Sequence, residues 1–255
     1  MSPVKASPTA RERARAELTR EIKEEARRQL AETGAHGLSL RAVARELGMV
    51  SSALYRYFPS RDDLLTALII DAYDALGEVA ESAIAASARP RVRWLAACHA
   101  IRGWALAHPH EYALIYGSPV PGYRAPQATV GPASRVPLAF MVVLRDAVAG
   151  GDMPAGDGAV AVAGPGLVGG ALADQAAAIA AALVAVPGLA AVPAEVVVRA
   201  VIAWTQLFGM ISFELFGQFV GSFEPADALF EYAVAHLAAF VGLDSAPSRA
   251  RAPIR

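Results

Sequence analysis

The sequence predicts an all-α protein, with a small N-terminal domain of three helices ahead of a larger helical domain. Apolar residues recur every three or four positions along most of the chain, which is the spacing of one face of an α-helix. The alternation of apolar and polar residues that marks a half-buried strand is almost absent. With 55% apolar residues over 255 positions, the chain has enough apolar side chains for a core of this size.

The first predicted helix extends from about Thr9 to Thr33. Its apolar side chains follow each other at a spacing of four, charged residues fill the remaining positions, and Gly34 ends it. A stretch rich in proline and serine, residues 1–9, precedes this helix, and we expect it to be flexible. The apolar stripe consists of Ala14, Leu18, Ile22, Ala26 and Leu30.

Two short helices are predicted next. Ser39 is a suitable N-cap for the first of them, and Gly48 ends it because glycine adopts the left-handed conformation without steric cost. Ser51 or Ser52 is a suitable cap for the second helix, and Pro59 ends it.

Ser60 and Asp63 form an S-x-x-D pattern, a capping box that opens a further, long helix. Two helices joined by a short turn containing glycine are typical of the helix-turn-helix, whose second helix lies in the major groove of DNA. With the first helix they make a three-helix domain over residues 10–60. The alternative interpretation is a structural helical hairpin with exposed aromatic residues.

The charge of the chain is unevenly distributed. Residues 1–61 contain 12 Lys and Arg against 7 Asp and Glu, a net charge of +5, whereas the remaining 194 residues contain 11 against 17, a net charge of −6. The total of −1 therefore conceals a positively charged N-terminal end. This distribution favours a nucleic acid as the partner of the first domain.

Several residues between Gly37 and Leu65 occur in a fixed order: Gly-Leu-Ser, Leu-Gly, Leu-Tyr-x-Tyr-Phe, Ser-Arg and Leu-Leu. In this order the segment resembles the N-terminal domain of the TetR/AcrR family of bacterial transcriptional regulators. Met49-Val50 and Ser51 depart from the family pattern, which usually has Val-Ser and often Lys there. The matching residues are Gly37, Leu38, Ser39, Leu47, Gly48, Leu54, Tyr55, Tyr57, Phe58, Ser60, Arg61, Leu64 and Leu65.

The resemblance implies roles in DNA binding, which we assign by side-chain chemistry. Ser39 is expected to hold a phosphate through its hydroxyl and the free backbone N–H groups, and Arg41 to reach a guanine edge. Serine hydroxyls of the second helix suit bases, and its alanine suits a thymine methyl group. The tyrosines are expected against phosphate or sugar, with core packing as the alternative. The DNA-binding set is Ser39, Arg41, Ser51, Ser52, Ala53, Tyr55, Tyr57 and Arg61, the last at a phosphate.

The arginines of the first helix, among them Arg11, Arg13 and Arg15, are candidates for phosphate contacts, with a solvated surface as the alternative.

The larger domain is predicted to span residues 61–243, followed by a flexible tail over 244–255. Proline and glycine make residues 117–134 a loop, and the stretch GGDMPAGDG is a second flexible connection. The helices are predicted at about 60–87, 90–107, 108–116, 133–149, 167–186, 193–217 and 225–242.

In the family that this chain resembles, the last two long helices pair with their copies in a second subunit to form a four-helix bundle. The resemblance therefore implies a homodimer. The residues expected at that interface are Val197, Val201, Trp204, Phe208, Ile211, Leu215, Leu229, Tyr232 and Leu237, and Gly209 and Gly217 permit close approach. The order Trp204-x-x-x-Phe208-Gly209 also resembles the Trp-His-Gly pattern of one C-terminal subgroup, with Phe in place of His.

An effector pocket is expected among helices four to seven. Its lining is aromatic and carries little charge, with core packing as the alternative interpretation for these side chains. Such a lining favours a small, largely apolar ligand over a phosphorylated one. The expected pocket residues are Trp94, Trp104, His108, Tyr112, Tyr116, Phe140 and Met141.

These features and the resemblance together predict a one-component transcriptional regulator that binds a palindromic double-stranded operator as a homodimer and releases it when the ligand binds. The resemblance alone implies that it acts as a repressor. No membrane partner is expected. The N-terminus lacks the apolar segment of a signal peptide, and the single cysteine, Cys98, excludes a disulfide within the chain, so we expect the protein in the cytoplasm.

Two alternatives belong to other classes. The sequence GPGLVG at residues 164–169 satisfies the G-x-G-x-x-G pattern of a dinucleotide-binding enzyme, although neither flank supplies the further strands that such a domain needs. A helical interaction protein without specific DNA binding is the second alternative. Residues 175–194 are uncharged and long enough to cross a membrane, but Pro187-Gly188 interrupts them, and a buried helix is favoured.

No catalytic, cofactor-binding or metal-binding arrangement is predicted. The five histidines show no H-E-x-x-H spacing, and a lone cysteine cannot form a zinc site with its sequence neighbours. A G-x-S-x-G nucleophile motif is also missing from the sequence. We therefore expect a protein that is not an enzyme.

Overall fold

The structure is a computed structural model that describes residues 9–87, 89–153, 170–189 and 192–243. These ranges contain helices and turns and no strand. The helices are α1 Ala10–Gly37, α2 Leu40–Glu46, α3 Ser51–Leu54, α4 Arg61–Ala85, α5 Pro90–Ala107, α6 Pro109–Tyr116, α7 Val130–Gly150, α8 Gly170–Val184, α9 Ala194–Leu215 and α10 Asp227–Phe240. The prediction of an all-α fold is confirmed.

The chain divides into two compact units. The N-terminal unit consists of residues up to Tyr73 together with His108–Pro132, and the C-terminal unit consists of the remainder. Helix α4 contributes its first half to one unit and its second half to the other. These two units are defined by contacts between residues. The domains predicted at 10–60 and 61–243 are defined by function instead, so their boundaries stay a prediction. The tails at 1–8 and 244–255 and the G-x-G-x-x-G motif lie outside the described residues.

Helix α1 starts at a complete capping box. The Thr9 hydroxyl accepts from the Glu12 backbone N–H at 3.2 Å, and the Glu12 carboxylate accepts from the Thr9 N–H at 2.7 Å. The predicted apolar stripe packs inward at Ile22, Ala26 and Leu30. Gly34, with a non-helical φ of 69°, interrupts the helix where its end is predicted, and a further helical turn continues beyond this kink to Gly37.

The segment that follows forms two short helices, as predicted, but the second helix, α3, ends at Leu54 and is followed by turn residues 55–57, so the predicted end at Pro59 is wrong. Ser39 caps α2 by accepting from the Ala42 N–H at 3.5 Å, and Gly48 has the left-handed φ of 63°. The predicted serine cap of α3 is wrong: Val50 occupies the N-cap position and supplies no side-chain acceptor, so Ser51 is already the first residue of the helix.

The Ser60 hydroxyl accepts from the Asp63 N–H at 3.1 Å, which satisfies one of the free N–H groups at the start of α4. The hydroxyl in turn donates to the Asp63 carboxylate at 2.7 Å. The predicted S-x-x-D pattern thus caps α4 through Ser60, while the carboxylate engages the hydroxyl.

The core of the C-terminal unit is built on α5, α7, α9 and α10. The predicted inner face of α5 is buried, including Trp94, Cys98 and Ile101. The predicted loop at 117–134 is wrong at its end, because α7 starts at Val130. Pro132 lies in the first turn of α7, where a helix has no backbone N–H bond to lose.

Helices α8 and α9 are strongly apolar. The prediction of a buried helix over 175–194 is wrong, because α8 ends at Val184 and leaves Leu172, Ile179 and Val184 about half exposed. Helix α9 is long and apolar enough to cross a membrane, judged by length and composition only. Seven of its side chains are buried in the protein, a pattern equally typical of a core helix.

Candidate nucleic-acid interface

A groove in the N-terminal unit brings together four of the residues predicted to bind DNA. It lies between the start of α2 and the connection from α3 to α4, and its volume is about 440 Å³. Ser39 and Arg41 line it from α2, and Tyr55 and Arg61 line it from the other side. The remaining lining residues are Leu38, Leu40, Pro59 and Ser60.

Arg61 holds one wall of this groove in place. Its guanidinium donates to the carbonyl oxygens of Leu38 at 3.2 Å and Ala35 at 2.7 Å, and it lies 3.4 Å from the Asp62 carboxylate. These bonds fix the turn that leads into α2 and therefore the position of Ser39. Arg61 thus acts on the groove through the backbone as well as lining it.

The orientation of α3 follows from two buried side chains. Leu54 is fully buried and Phe58 nearly so, and both belong to the core of the N-terminal unit. Packing of these apolar groups turns the opposite side of α3 outward. Ser52 and Tyr55 are exposed there, and Ser51 and Ala53 are half-buried.

Tyr57 is half-buried against the same core, and Arg15 of α1 lies over it. The guanidinium carbon of Arg15 is 5.2 Å from the centre of the Tyr57 ring, within cation–π range. An N–H of Arg15 also points at the Arg56 carbonyl oxygen, at 3.5 Å. The start of α1 therefore adjoins the end of α3.

Ten of the Lys and Arg side chains between Arg11 and Arg61 fall into two groups. In the first group each has a carboxylate partner; for example, Lys23 and Arg27 both bind Asp71, at 2.8 and 2.6 Å. The others in this group are Arg20, Arg28, Arg45 and Arg61. The second group has no ion pair within the described residues and consists of Arg11, Arg15, Arg41 and Arg56.

Arginines without carboxylate partners keep their charge available for phosphate. Arg41 lines the groove, and Arg15 and Arg56 lie at the end of α3. The DNA-binding residues predicted from the sequence do not include Arg56. For Arg15, a position on a solvated surface is the alternative to a phosphate contact. The position of Arg56 between Tyr55 and Tyr57, two residues predicted to bind DNA, could have indicated its role. The sequence does not show which arginines form ion pairs with residues of other elements.

The residues expected to line an effector pocket are divided between the two units. Trp94, Trp104, Phe140 and Met141 are buried in the C-terminal unit, where the Trp94 and Phe140 ring centres are 4.6 Å apart. His108, Tyr112 and Tyr116 belong to the N-terminal unit.

Tyr116 packs in the N-terminal unit with its ring centre 5.2 Å from that of Tyr112 and 6.1 Å from that of Tyr73. Burial raises the pKa of Tyr116 well above its ordinary value, and the neighbouring tyrosines add to this shift.

The C-terminal unit contains a separate open cleft of about 620 Å³ between α4 and α5. Trp104 and Ala100 line it from α5, and one face of α4 forms the other wall. Trp104 is the one predicted pocket residue that lines this cleft. The α4 residues are Ala75, Glu78, Val79, Ser82 and Ala83.

The residues expected to form a dimer differ in exposure. Val197, Phe208, Ile211 and Leu237 are buried within the chain itself. Val201 and Tyr232 are exposed, at 48% and 65%. Trp204, Leu215 and Leu229 are half-buried.

The described residues contain neither a candidate metal site nor an accessible thiol. There, no group of three or more His, Cys, Asp or Glu side chains is arranged to hold a metal ion. Cys98 is fully buried, and loss of solvation raises the pKa of its thiol far above the ordinary value.

Comparison with known proteins extends over both units. Residues 22–68 match the family described as bacterial regulatory proteins, tetR family, and residues 94–237 match the description Tetracyclin repressor-like, C-terminal domain. The second match covers more than half of the chain. The chain belongs to the TetR family.

Individual TetR relatives agree with this assignment. The chain is 50% identical over 145 residues to the HTH-type transcriptional regulator Rv1816 of Mycobacterium tuberculosis, a match that covers 55% of this chain and 61% of Rv1816. A related regulator from Mycobacterium bovis, Mb1846, matches to the same extent. The chain thus spans somewhat under two thirds of the length of these curated relatives.

Solved structures show the same fold. SCO4313, described as a regulatory protein, is 36% identical with a TM-score of 0.70, and the match covers 91% of this chain and all of that one. The TetR family regulator PfmR from Thermus thermophilus is 19% identical with a TM-score of 0.52, and the match covers 88% of this chain and 98% of PfmR. The latter supports the fold alone.

Proposed function

We propose that this TetR family protein is a transcriptional repressor that binds a palindromic DNA operator as a homodimer and releases it on binding a small, largely apolar ligand. The observation that carries this proposal is the groove between the start of α2 and the connection from α3 to α4, with arginines beside it that have no carboxylate partner among the described residues. Such a surface suits a polyanion, and the adjoining exposed side of α3 suits base edges.

The residue roles follow from this surface. Ser39 and Arg41 face the groove, where a hydroxyl suits phosphate and a guanidinium suits either phosphate or guanine. Ser51, Ser52 and Ala53 present small groups on α3, and Tyr55 lies exposed at its end. Tyr57 contributes through its contact with Arg15. Arg61 shapes the groove through its two carbonyl bonds.

Exposed apolar side chains support the homodimer. Val201 and Ile202 on α9 and Tyr232 on α10 are exposed, and α8, which packs on α9, also exposes apolar side chains. Apolar residues at these positions stabilise a protein when a second surface covers them. A twofold dimer would present two copies of α3 to successive major grooves about 34–36 Å apart.

Release follows from geometry. A ligand that binds better to one arrangement of α4 than to another shifts the population toward that arrangement. If the favoured arrangement changes the separation of the two copies of α3, the affinity for the operator falls by the same coupling free energy.

The test is a footprint and gel-shift titration of the purified protein on the DNA flanking its own gene, at physiological salt with nonspecific competitor DNA. We expect protection of an inverted repeat. A random genomic library screened in parallel by selection and sequencing covers operators located elsewhere. Absence of any enriched palindrome in both experiments would contradict the proposal.

A further inference from the structure

We propose that the cleft between α4 and α5 binds an amphipathic organic cation, with Glu78 as the counter-charge and Trp104 as part of the apolar wall. The inference rests on the proposed function, because a ligand of this class is offered as the effector. The assignment follows from the charges on α4, the lining of the cleft and its volume.

Helix α4 carries three carboxylates in its second half, and two of them are neutralised. The Arg135 guanidinium binds Asp74 at 2.9 Å and Glu81 at 2.6 Å. Glu78, which lies between them in sequence, forms no ion pair with any residue that the structure describes. Glu78 is exposed and is one of the residues that line the cleft.

The described residues of the lining other than Glu78 carry no charge that compensates it. Ala75, Val79, Ala83 and Ala100 contribute aliphatic surface, and Ser82 contributes a hydroxyl. Among the described residues, no Lys, Arg or His lines the cleft. A negative charge on an otherwise apolar wall favours a ligand that has one positive charge and an apolar body.

Trp104 adds a specific preference for cations. Its side chain lines the cleft from α5 and is held in place by burial, with 8% of the residue exposed. An indole attracts a positive charge more strongly than the other aromatic side chains do. The small side chains on the facing wall of α4 leave space for a ligand. The cleft volume of about 620 Å³ is within the range of small-molecule sites.

The experiment uses two probes of matched shape and opposite charge, tetraphenylphosphonium and tetraphenylborate. Binding of each to the full-length protein is measured by isothermal titration calorimetry without DNA. We expect tetraphenylphosphonium to bind at least about tenfold more tightly than tetraphenylborate, because Glu78 places a negative charge in the described lining. The Glu78→Gln variant should lose most of this preference.

Two further variants make the test specific. Glu224→Gln removes an equal charge from the exposed connection between α9 and α10, and it should leave the preference unchanged. Trp104→Phe keeps an aromatic wall but should weaken tetraphenylphosphonium binding severalfold, because a phenyl ring attracts a cation less strongly. Circular dichroism melts confirm that each variant is folded.

Several outcomes would overturn the assignment. These are no binding of the cation, equal binding of both probes, or a preference that survives Glu78→Gln. An altered oligomeric state in Glu78→Lys, without cation binding by the wild type, would assign the cleft to a protein contact. Operator binding is measured separately, so cation binding without a palindrome would contradict the proposed function alone.

Discussion

At the scale of single residues, ion pairing sorts the arginines of the N-terminal unit. Arg20 and Arg28 bridge carboxylates along α1, whereas Arg41 and Arg56 have no carboxylate partner among the described residues. An exposed ion pair adds little stability, but its carboxylate neutralises an arginine charge that could otherwise bind phosphate. The basic residues that give residues 1–61 their net charge of +5 therefore differ in whether their charge is available to bind phosphate.

Arg41→Ala is expected to relax sequence preference at one base pair of each half-site, at a cost of about 1–3 kcal/mol in operator binding. Selection and sequencing of bound DNA measures the preference. Arg45→Ala is the control on the same helix, because Arg45 already pairs with Glu46 at 3.3 Å. An equal loss of affinity for all sequences would show that Arg41 contacts phosphate and does not read a base.

Arg15→Ala is expected to weaken binding to all DNA sequences and to reduce the slope of log K against log salt by about 1, because one phosphate contact is lost. Affinities measured at several salt concentrations give that slope. Arg20→Ala should leave it unchanged, since Arg20 lies between Glu17 and Glu24. Identical slopes for Arg15→Ala and the wild type would remove Arg15 from the interface.

Gly77→Ala is expected to destabilise the protein by about 1–3 kcal/mol, although alanine normally favours a helix. A Cβ at position 77 would lie 2.7 Å from the Arg135 Cβ, an atom close to the backbone that has little freedom to move. Denaturant unfolding measures the difference.

Gly103→Ala provides the matched control for this substitution. Gly103 is exposed within α5, and no atom lies within 4 Å of a Cβ built there. This variant should gain roughly 0.5–1 kcal/mol. A gain of stability in both variants would mean that Arg135 moves away without cost.

At the scale of elements, α4 is held by α7 within the C-terminal unit. Arg135, near the start of α7, binds the Asp74 carbonyl and carboxylate, each at 2.9 Å, and the Glu81 carboxylate. Gly77 lies between Asp74 and Glu81 in sequence. Because glycine has no side chain, it leaves space that the Arg135 side chain occupies. Arg135 therefore supplements the packing of the buried Leu76, Ala80 and Ile84 in positioning this half of α4.

Arg135→Gln is expected to reduce stability by about 1 kcal/mol at neutral pH, since the ion pairs are partly exposed. The hydrogen bonds from Arg135 hold the pKa of Glu81 below its ordinary value of 4.5. A depressed pKa in the folded state contributes stability above the pKa of the unfolded state, and this stability is lost as the pH falls through the folded value.

The difference between wild type and Arg135→Gln should therefore shrink as the pH is lowered from about 6 toward about 3. Denaturant unfolding at a series of pH values, with NMR titration of Glu81, measures both quantities. A difference that is constant with pH would mean that the Glu81 carboxylate contributes nothing to the pairing.

At the scale of the whole molecule, the exposed apolar side chains of α8 to α10 are the feature that a single chain leaves unexplained. Val201, Phe213 and Tyr232 are each about half or more exposed, whereas Val197 and Ile211 on the same α9 are buried. One side of α9 thus completes the core of its own chain. The other side is available to a second copy.

Val201→Glu is expected to convert the proposed dimer into a monomer, because a carboxylate would be buried in an apolar interface. Sedimentation equilibrium measures the change in mass. Leu106→Glu, an equal change at a 43% exposed position of α5, should leave the mass unchanged. A dimeric Val201→Glu protein would place the interface elsewhere.

The sequence alone determined those features that depend on local patterns. The helical periodicity indicated the fold class, Gly48 and Ser60 marked helix ends that the structure confirms, and the order Gly37 to Leu65 indicated the family. Each of these depends on residues within a few turns of one another, so short-range physics is sufficient.

The tertiary structure alone decided what depends on residues distant in sequence. It placed His108–Pro132 with the DNA-binding helices, and it paired Arg135 with α4, which left Glu78 without a partner among the described residues. It also buried Phe208 while exposing Val201 on the same helix. Periodicity identifies an apolar face, but the element that covers this face is set by packing across the whole chain.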